Sequence, residues 1–203
     1  MQLFFVALVF AAIARAVPQP YSNELRSFSG TTASAQRRQE GPSNNQTYME
    51  DVPIHSSCNA TQAAQIQAGL DDMKELAQVT IDHVLRNGRD ELFTTYFGAT
   101  GDTSPVIGIL TQILSANKQG MVIRCDDPDE KCSQPGWNGY WRTEPEFQAE
   151  TNICEASFFT RRRLAQVCGL GWTVAGSNSN LFWGADFLHR LWVKSPSFLL
   201  HRH

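Results

Sequence analysis

The chain has little that would tie it to a membrane or to nucleic acid. Beyond one run near its start, it holds no apolar stretch approaching the ~20 residues of a spanning helix. Positive charge is also short: 17 Lys and Arg stand against 20 Asp and Glu, a net charge of −3, which offers a phosphate backbone no attractive field. No internal repeat is visible, which excludes repeat architectures. The acidic stretch from Cys125 to Cys132 lacks the glycine and the distal bidentate Glu of a calcium loop. One further absence matters most. In the helical run from Asp186 to Val193, His189 has no second imidazole one turn on, where a shared helix face would place it; Val193 stands there instead.

The apolar run that is present, Leu3 to Ile13, is too short to cross a bilayer and precedes the small-x-small pattern Ala14-Arg15-Ala16. Residues 1–16 read as a secretory signal peptide, and its removal takes Arg15 with it and moves the charge from −3 to −4. Export gives meaning to Cys58, Cys125, Cys132, Cys154 and Cys168, since an oxidising compartment favours disulfides and an odd count leaves one thiol over. A disulfide between Cys125 and Cys132 would close the acidic loop, and Cys154 with Cys168 would make a second. About fifteen arrangements remain open by counting. Asn45 and Asn59 each begin a glycosylation sequon.

Residues 17–55 are rich in Ser, Gln, Asn, Pro and Gly and poor in clustered apolar residues, a composition that predicts a disordered leader. The folded domain is expected over residues 56–193, with residues 194–203 as a tail. From Thr61 to Asn87, Ile66, Leu70, Met73, Ala77, Ile81 and Val84 recur at three- and four-residue steps and predict a long amphipathic helix. A short helix follows through Leu92 to Phe97, and a third begins at Thr103-Ser104-Pro105. Gly120 to Cys125 reads as a strand and Gly139 to Arg142 as its hairpin partner. Helical spacing returns over Thr160 to Val167, and a last helix runs from about Asn180, capped by Ser179 or Asn178. The fold class is mainly α, an α+β arrangement of helices with one small hairpin.

Arg161-Arg162-Arg163 at a helix start would oppose the macrodipole, so carboxylates within the domain or on a ligand should compensate them. Asp126, Asp127 and Asp129 could offer oxygens to a metal, but a solvated turn is the simpler reading. The five tryptophans, Trp137, Trp141, Trp172, Trp183 and Trp192, either fill the core or line a binding surface. His83 reads as a hydrogen-bonded helix residue, and His201 with His203 as at most a weak chelating pair.

The pattern Phe182-Trp183, Ala185-Asp186, His189-Arg190-Leu191-Trp192, following Cys168-Gly169 and Gly171-Trp172-Thr173-Val174-Ala175, resembles the fungal HRxxH family of pH-regulated antigens, or zincophores, and secreted major allergens. Cys58-Asn59-Ala60-Thr61, His83 to Gly88, Tyr96-Phe97-Gly98, Arg124 to Asp127, Gly136-Trp137, Gly139 to Arg142 and Ile153-Cys154 extend the likeness over about residues 58–192.

The resemblance implies a secreted, zincin-like helical domain akin to deuterolysin-type metallopeptidases, extracellular or associated with the cell wall. In that family the HRxxH helix supplies two zinc ligands; the first maps onto His189 and the second onto Val193, which cannot ligate. Asp186, one turn before His189, can orient it or act as an improvised ligand. Arg190 occupies the place of the general base of an HExxH peptidase, and a guanidinium accepts no proton at physiological pH. The expectation is therefore a C-terminally truncated member with impaired zinc binding and no peptidase activity. Zinc and host or cell-surface proteins are its implied partners. A residual zinc endopeptidase and a metal-independent adhesion module are the alternatives. Truncation also predicts an exposed apolar face at Phe182, Phe187, Leu188 and Trp192.

Overall fold

A computed structural model describes residues 51–147, 149–173 and 181–199, with backbone alone for 195–199. The expected signal peptide, most of the leader, Asn45, the caps at Asn178 and Ser179, His201 and His203 lie outside the described residues.

Helix α1, Ala60–Asn87, is the central element. It starts where Asn59 Oδ1 accepts the Gln62 N–H while Gln62 Oε1 accepts the Asn59 N–H, both at 2.9 Å, a capping box that satisfies two end groups. It stops at Gly88, whose φ of 58° few side chains tolerate. Between these ends Ile66, Leu70, Met73, Leu76, Ala77, Ile81 and Val84 are buried, the face that its periodicity predicts. Helices α2, Glu91–Phe97, and α3, Thr103–Ser115, are capped by Asp90 and Asp102. Then come β1, Val122–Arg124, β2, Gly139–Trp141, β3, Glu150–Ile153, α4, Glu155–Thr160, and α5, Trp183–Leu199.

Helix α5 packs chiefly on α1 and also on α3. The α1–α5 crossing is close because glycine faces it from both sides. A Cβ on Gly69 would stand 2.7 Å from Trp183 Cβ, and one on Gly184 would stand 2.9 Å from the Asp72 carbonyl carbon. Trp183 stacks on Phe187 with centroids 5.4 Å apart, and Trp172 meets Phe182 edge-on at 4.9 Å. The apolar face expected to be exposed is instead covered: Phe182, Phe187 and Leu188 are all at most 1% exposed, and Trp192 is packed against the core. Helices α1 and α3 supply that cover.

The sheet departs from the expected hairpin. Its order is β1-β3-β2, with β1 parallel and β2 antiparallel to a central β3. Strand β3 carries Glu150, Thr151 and Asn152, too polar to read as a buried strand. It holds the centre because Thr151 Oγ1 donates to the Tyr140 carbonyl at 3.1 Å and Asn152 Nδ2 to the Asp126 carbonyl at 2.8 Å. The end of the expected leader is also ordered. Ile54 bridges Ile123, and Val52 is buried.

The helix expected over 160–167 is replaced by α4, an extended Arg161-Arg162-Arg163 segment, and a 3₁₀ turn over Leu164–Gln166. Arg162 pairs in parallel with Phe182, its N–H donating to the Leu181 carbonyl at 2.8 Å.

The disulfides are Cys58–Cys125 and Cys132–Cys154, leaving Cys168 free and exposed. This corrects both suggested pairings, Cys125 with Cys132 and Cys154 with Cys168. The first bridge ties the residue before the α1 cap to the end of β1. The second draws the acidic loop onto the end of β3, because the β1-β3-β2 order brings Cys154 rather than Cys125 beside it.

Candidate functional site

One face of α5 and the edge of β2 border a cleft of about 1090 Å³. Asp186, His189, Arg190 and Val193 from α5 line it, with Trp137, Gly139 and Trp141 from the β2 region and Arg161, Arg162, Leu170, Trp172 and Leu181 opposite. The four helix residues singled out from the sequence therefore come together, as the 3.6-residue period requires.

Arg190 is the best-anchored side chain of this group. It is 7% exposed; its Nε donates to Asp186 Oδ2 at 3.0 Å and its Nη1 to Thr151 Oγ1 at 2.9 Å. Room for the guanidinium exists because residue 139 is glycine: a Cβ there would lie 2.5 Å from Arg190 Nη2 and 2.4 Å from the Asn152 carbonyl oxygen. Asp186, equally buried, accepts at its other oxygen from Arg161 Nη2 at 3.2 Å. Two guanidiniums thus share one carboxylate, and both of its oxygens are engaged. Burial pushes the Arg161 guanidinium below its usual range; Asp186 opposes this and Arg190 adds to it.

His189 is half-buried on the same face. Burial lowers its pKa, the Asp186 carboxylate works the other way, and the Arg190 charge lowers it further. The net shift favours the neutral imidazole, the form that can donate a lone pair. Val193, one turn on, is 39% exposed and presents only apolar surface.

A zinc ion takes three or four protein donors. Here His189 offers one, Asp186 is held by two arginines, and Val193 offers none. Among the described residues no group of three or more His, Cys, Asp or Glu side chains is placed to hold a metal. The donor set on these residues does not by itself fit zinc.

The acidic loop is likewise committed to protein partners. Asp126 accepts from Arg124 at 2.6 and 2.8 Å, which holds its carboxyl below the usual range against burial. Asp129 accepts from Arg142 Nη2 at 2.9 Å and Nε at 3.2 Å. Asp127 accepts the Tyr140 hydroxyl at 2.7 Å and the Lys131 and Cys132 amides at 2.9 Å. Burial pushes the Tyr140 hydroxyl well above its ordinary pKa, and the bond to Asp127 adds to the rise.

Thr151 and Asp72 escaped the reading of the sequence, and Gly139 was read only as a strand residue and part of the family likeness. Asp72 accepts from Arg163 Nε and Nη2 at 2.8 and 2.9 Å and from the Leu164 amide at 2.9 Å, pinning the arginine segment to α1. The available signal was the arginine run, which demanded internal carboxylates without saying which. His83 Nε2 stands 3.2 Å from Asp90 Oδ2, away from the cleft-lining residues.

The chain is similar to the pH-regulated antigen PRA1 of Candida albicans, 42% identical over 158 residues, covering 77% of this chain and 52% of that protein. It is 45% identical over 141 residues to the major allergen Asp f 2 of Aspergillus fumigatus, covering 69% of this chain and 45% of the allergen. Protein ZPS1 of Saccharomyces cerevisiae is 30% identical over 139 residues, covering 68% and 55%. The chain spans about half the length of the curated relatives it matches. No solved structure matches it. The His189-Arg190 helix and the sequence around it match the HRXXH profile, described as a putative peptidase family, over residues 3–196, and the chain belongs to that family.

Proposed function

We propose that this chain is an exported, antigen-type domain whose metallopeptidase-like cleft binds ligands without hydrolysing them. His189 is the zinc donor that it contributes. The observation that carries this reading is the Arg161–Asp186–Arg190 cluster. A hydrolytic zinc site needs a proton acceptor beside the first histidine. Here that place holds a cation, anchored on both sides, which also occupies the carboxylate nearest in sequence to His189.

The relatives named as antigens and an allergen support an extracellular setting, and the two disulfides fit an oxidising compartment. Asn59 is exposed, and its cap uses only the side-chain oxygen, which leaves its nitrogen free to carry a glycan. In this reading the domain is secreted or held at the cell wall and meets host or cell-surface proteins, while zinc binding through His189 is weak.

Zinc calorimetry on the chain, on His189→Ala and on Val193→His tests this directly. Binding should be weaker than micromolar, vanish in H189A, and tighten by more than an order of magnitude in V193H. A zinc-loaded sample should leave a denatured protein substrate intact. Submicromolar, stoichiometric zinc in the unaltered chain, or zinc-dependent cleavage, would sink the reading.

A further inference from the structure

The three consecutive arginines divide their work. Arg161 and Arg163 lie in extended backbone, with ψ of 145° and 152°, where alternate side chains project to opposite sides. Arg161 reaches Asp186 on α5, and Arg163 reaches Asp72 on α1. Arg162, between them, is half-buried, lines the cleft, and has no carboxylate or hydrogen-bond acceptor for its side chain among the described residues.

The cleft also carries a surplus of positive charge on an acidic chain. Its lining includes Arg161, Arg162 and Arg190, together with Lys131, whose Nζ stands 4.0 Å from Asp129 Oδ2, but only one carboxylate, Asp186, which two of the arginines already share. Beside the charge lies exposed apolar surface: Leu170 is 76% exposed and Trp137 39%. A volume of about 1090 Å³ lies just above the roughly 300–1,000 Å³ range of small-molecule sites, enough for several residues of extended chain rather than a lone ion.

We propose that Arg162 is a specificity-determining residue that selects peptide segments carrying a Glu or Asp side chain flanked by apolar residues. The ligand carboxylate would pair with the guanidinium while its neighbours cover Leu170 and the tryptophans. A partly desolvated, charge-assisted pair of this kind discriminates strongly against the neutral amide. The inference rests on reading the cleft as a binding site that does not cleave; it requires no metal.

The test uses intrinsic tryptophan fluorescence, since Trp137 and Trp141 line the cleft. Two acetylated and amidated hexapeptides, Gly-Phe-Glu-Leu-Phe-Gly and its Gln counterpart, are titrated into the full chain at low salt. The Glu peptide should bind roughly tenfold tighter. That preference should disappear in Arg162→Gln and persist in part in Arg162→Lys.

Equal affinities in the unaltered chain, no binding of either peptide up to millimolar concentration, or an undiminished Glu preference in R162Q would overturn the proposal. The comparison within the unaltered chain stands even if R162Q does not fold. Mass spectrometry of the recovered peptides separates the two readings. Cleaved peptide contradicts the non-hydrolytic cleft, whereas intact peptide bound without Glu preference contradicts only the role of Arg162.

Discussion

Arg190 Nη1 donates to Thr151 Oγ1 at 2.9 Å, across 39 residues of sequence, and so ties the motif helix to the central strand of the sheet. Thr151 passes the connection on by donating to the Tyr140 carbonyl. The arginine that follows His189 is thus a structural bolt between α5 and β3.

Removing that bolt strands a buried carboxylate. Arg190→Ala leaves Asp186 with Arg161 alone and Thr151 without its donor, so urea denaturation should show a loss of about 3 kcal/mol. Arg190→Lys should recover only part, because an ammonium lacks the planar fork that reaches both acceptors. An R190A protein as stable as the parent would mean that Asp186 finds another partner.

The two glycines of the helix crossing should not tolerate a methyl group. Gly184→Ala presses a Cβ against the Asp72 and Met73 backbone, at 2.9 and 3.0 Å, and should cost about 2 kcal/mol in thermal unfolding. Gly108→Ala in α3 is the contrasting case. Nothing lies within 4 Å of the added carbon, and lower chain entropy in the unfolded state should stabilise the protein by about 0.5–1 kcal/mol.

His189 predicts a direction for pH dependence. Its folded pKa lies below the unfolded value of about 6.5, so the unfolded chain takes up the proton first. Stability from this group is fully present above pH ~6.5 and declines as pH falls from there toward the folded pKa. Tm measured from pH 7.5 to 5 should fall less in His189→Gln than in the parent. Parallel curves for the two proteins would show that His189 is not the group responsible.

Non-reducing peptide mapping should recover Cys58–Cys125 and Cys132–Cys154, with Cys168 alone open to alkylation in the folded protein. Loop-closure entropy ranks the two bridges: the separation of 67 residues is worth roughly 4 kcal/mol and that of 22 roughly 3 kcal/mol. The Cys58→Ser, Cys125→Ser double variant should therefore be the less stable of the two double variants in guanidinium.

Helix α1 was legible to within a residue because one apolar period runs its whole length and both caps are local chemistry. The motif face was legible for the same reason: Asp186, His189, Arg190 and Val193 sit one turn apart whatever surrounds them. The sheet was not. Strand β3 is polar, and its place in the middle depends on the Tyr140 and Asp126 carbonyls that only the folded chain brings to it. The arginine run was misread as a helix start because Asp72 and Asp186, the groups that hold it extended, lie 91 and 25 residues away.

What the amino-acid order determined alone is what acts over three or four residues: helix phase, caps, and the helix face shared by Asp186, His189, Arg190 and Val193. Partnership over long separations was decided by tertiary structure. It chose which cysteines bond, which carboxylate each arginine meets, and that Arg162 is left facing the cleft. Those outcomes depend on distances that local sequence does not encode, since each partner becomes near only when α1, α5 and the sheet have packed together.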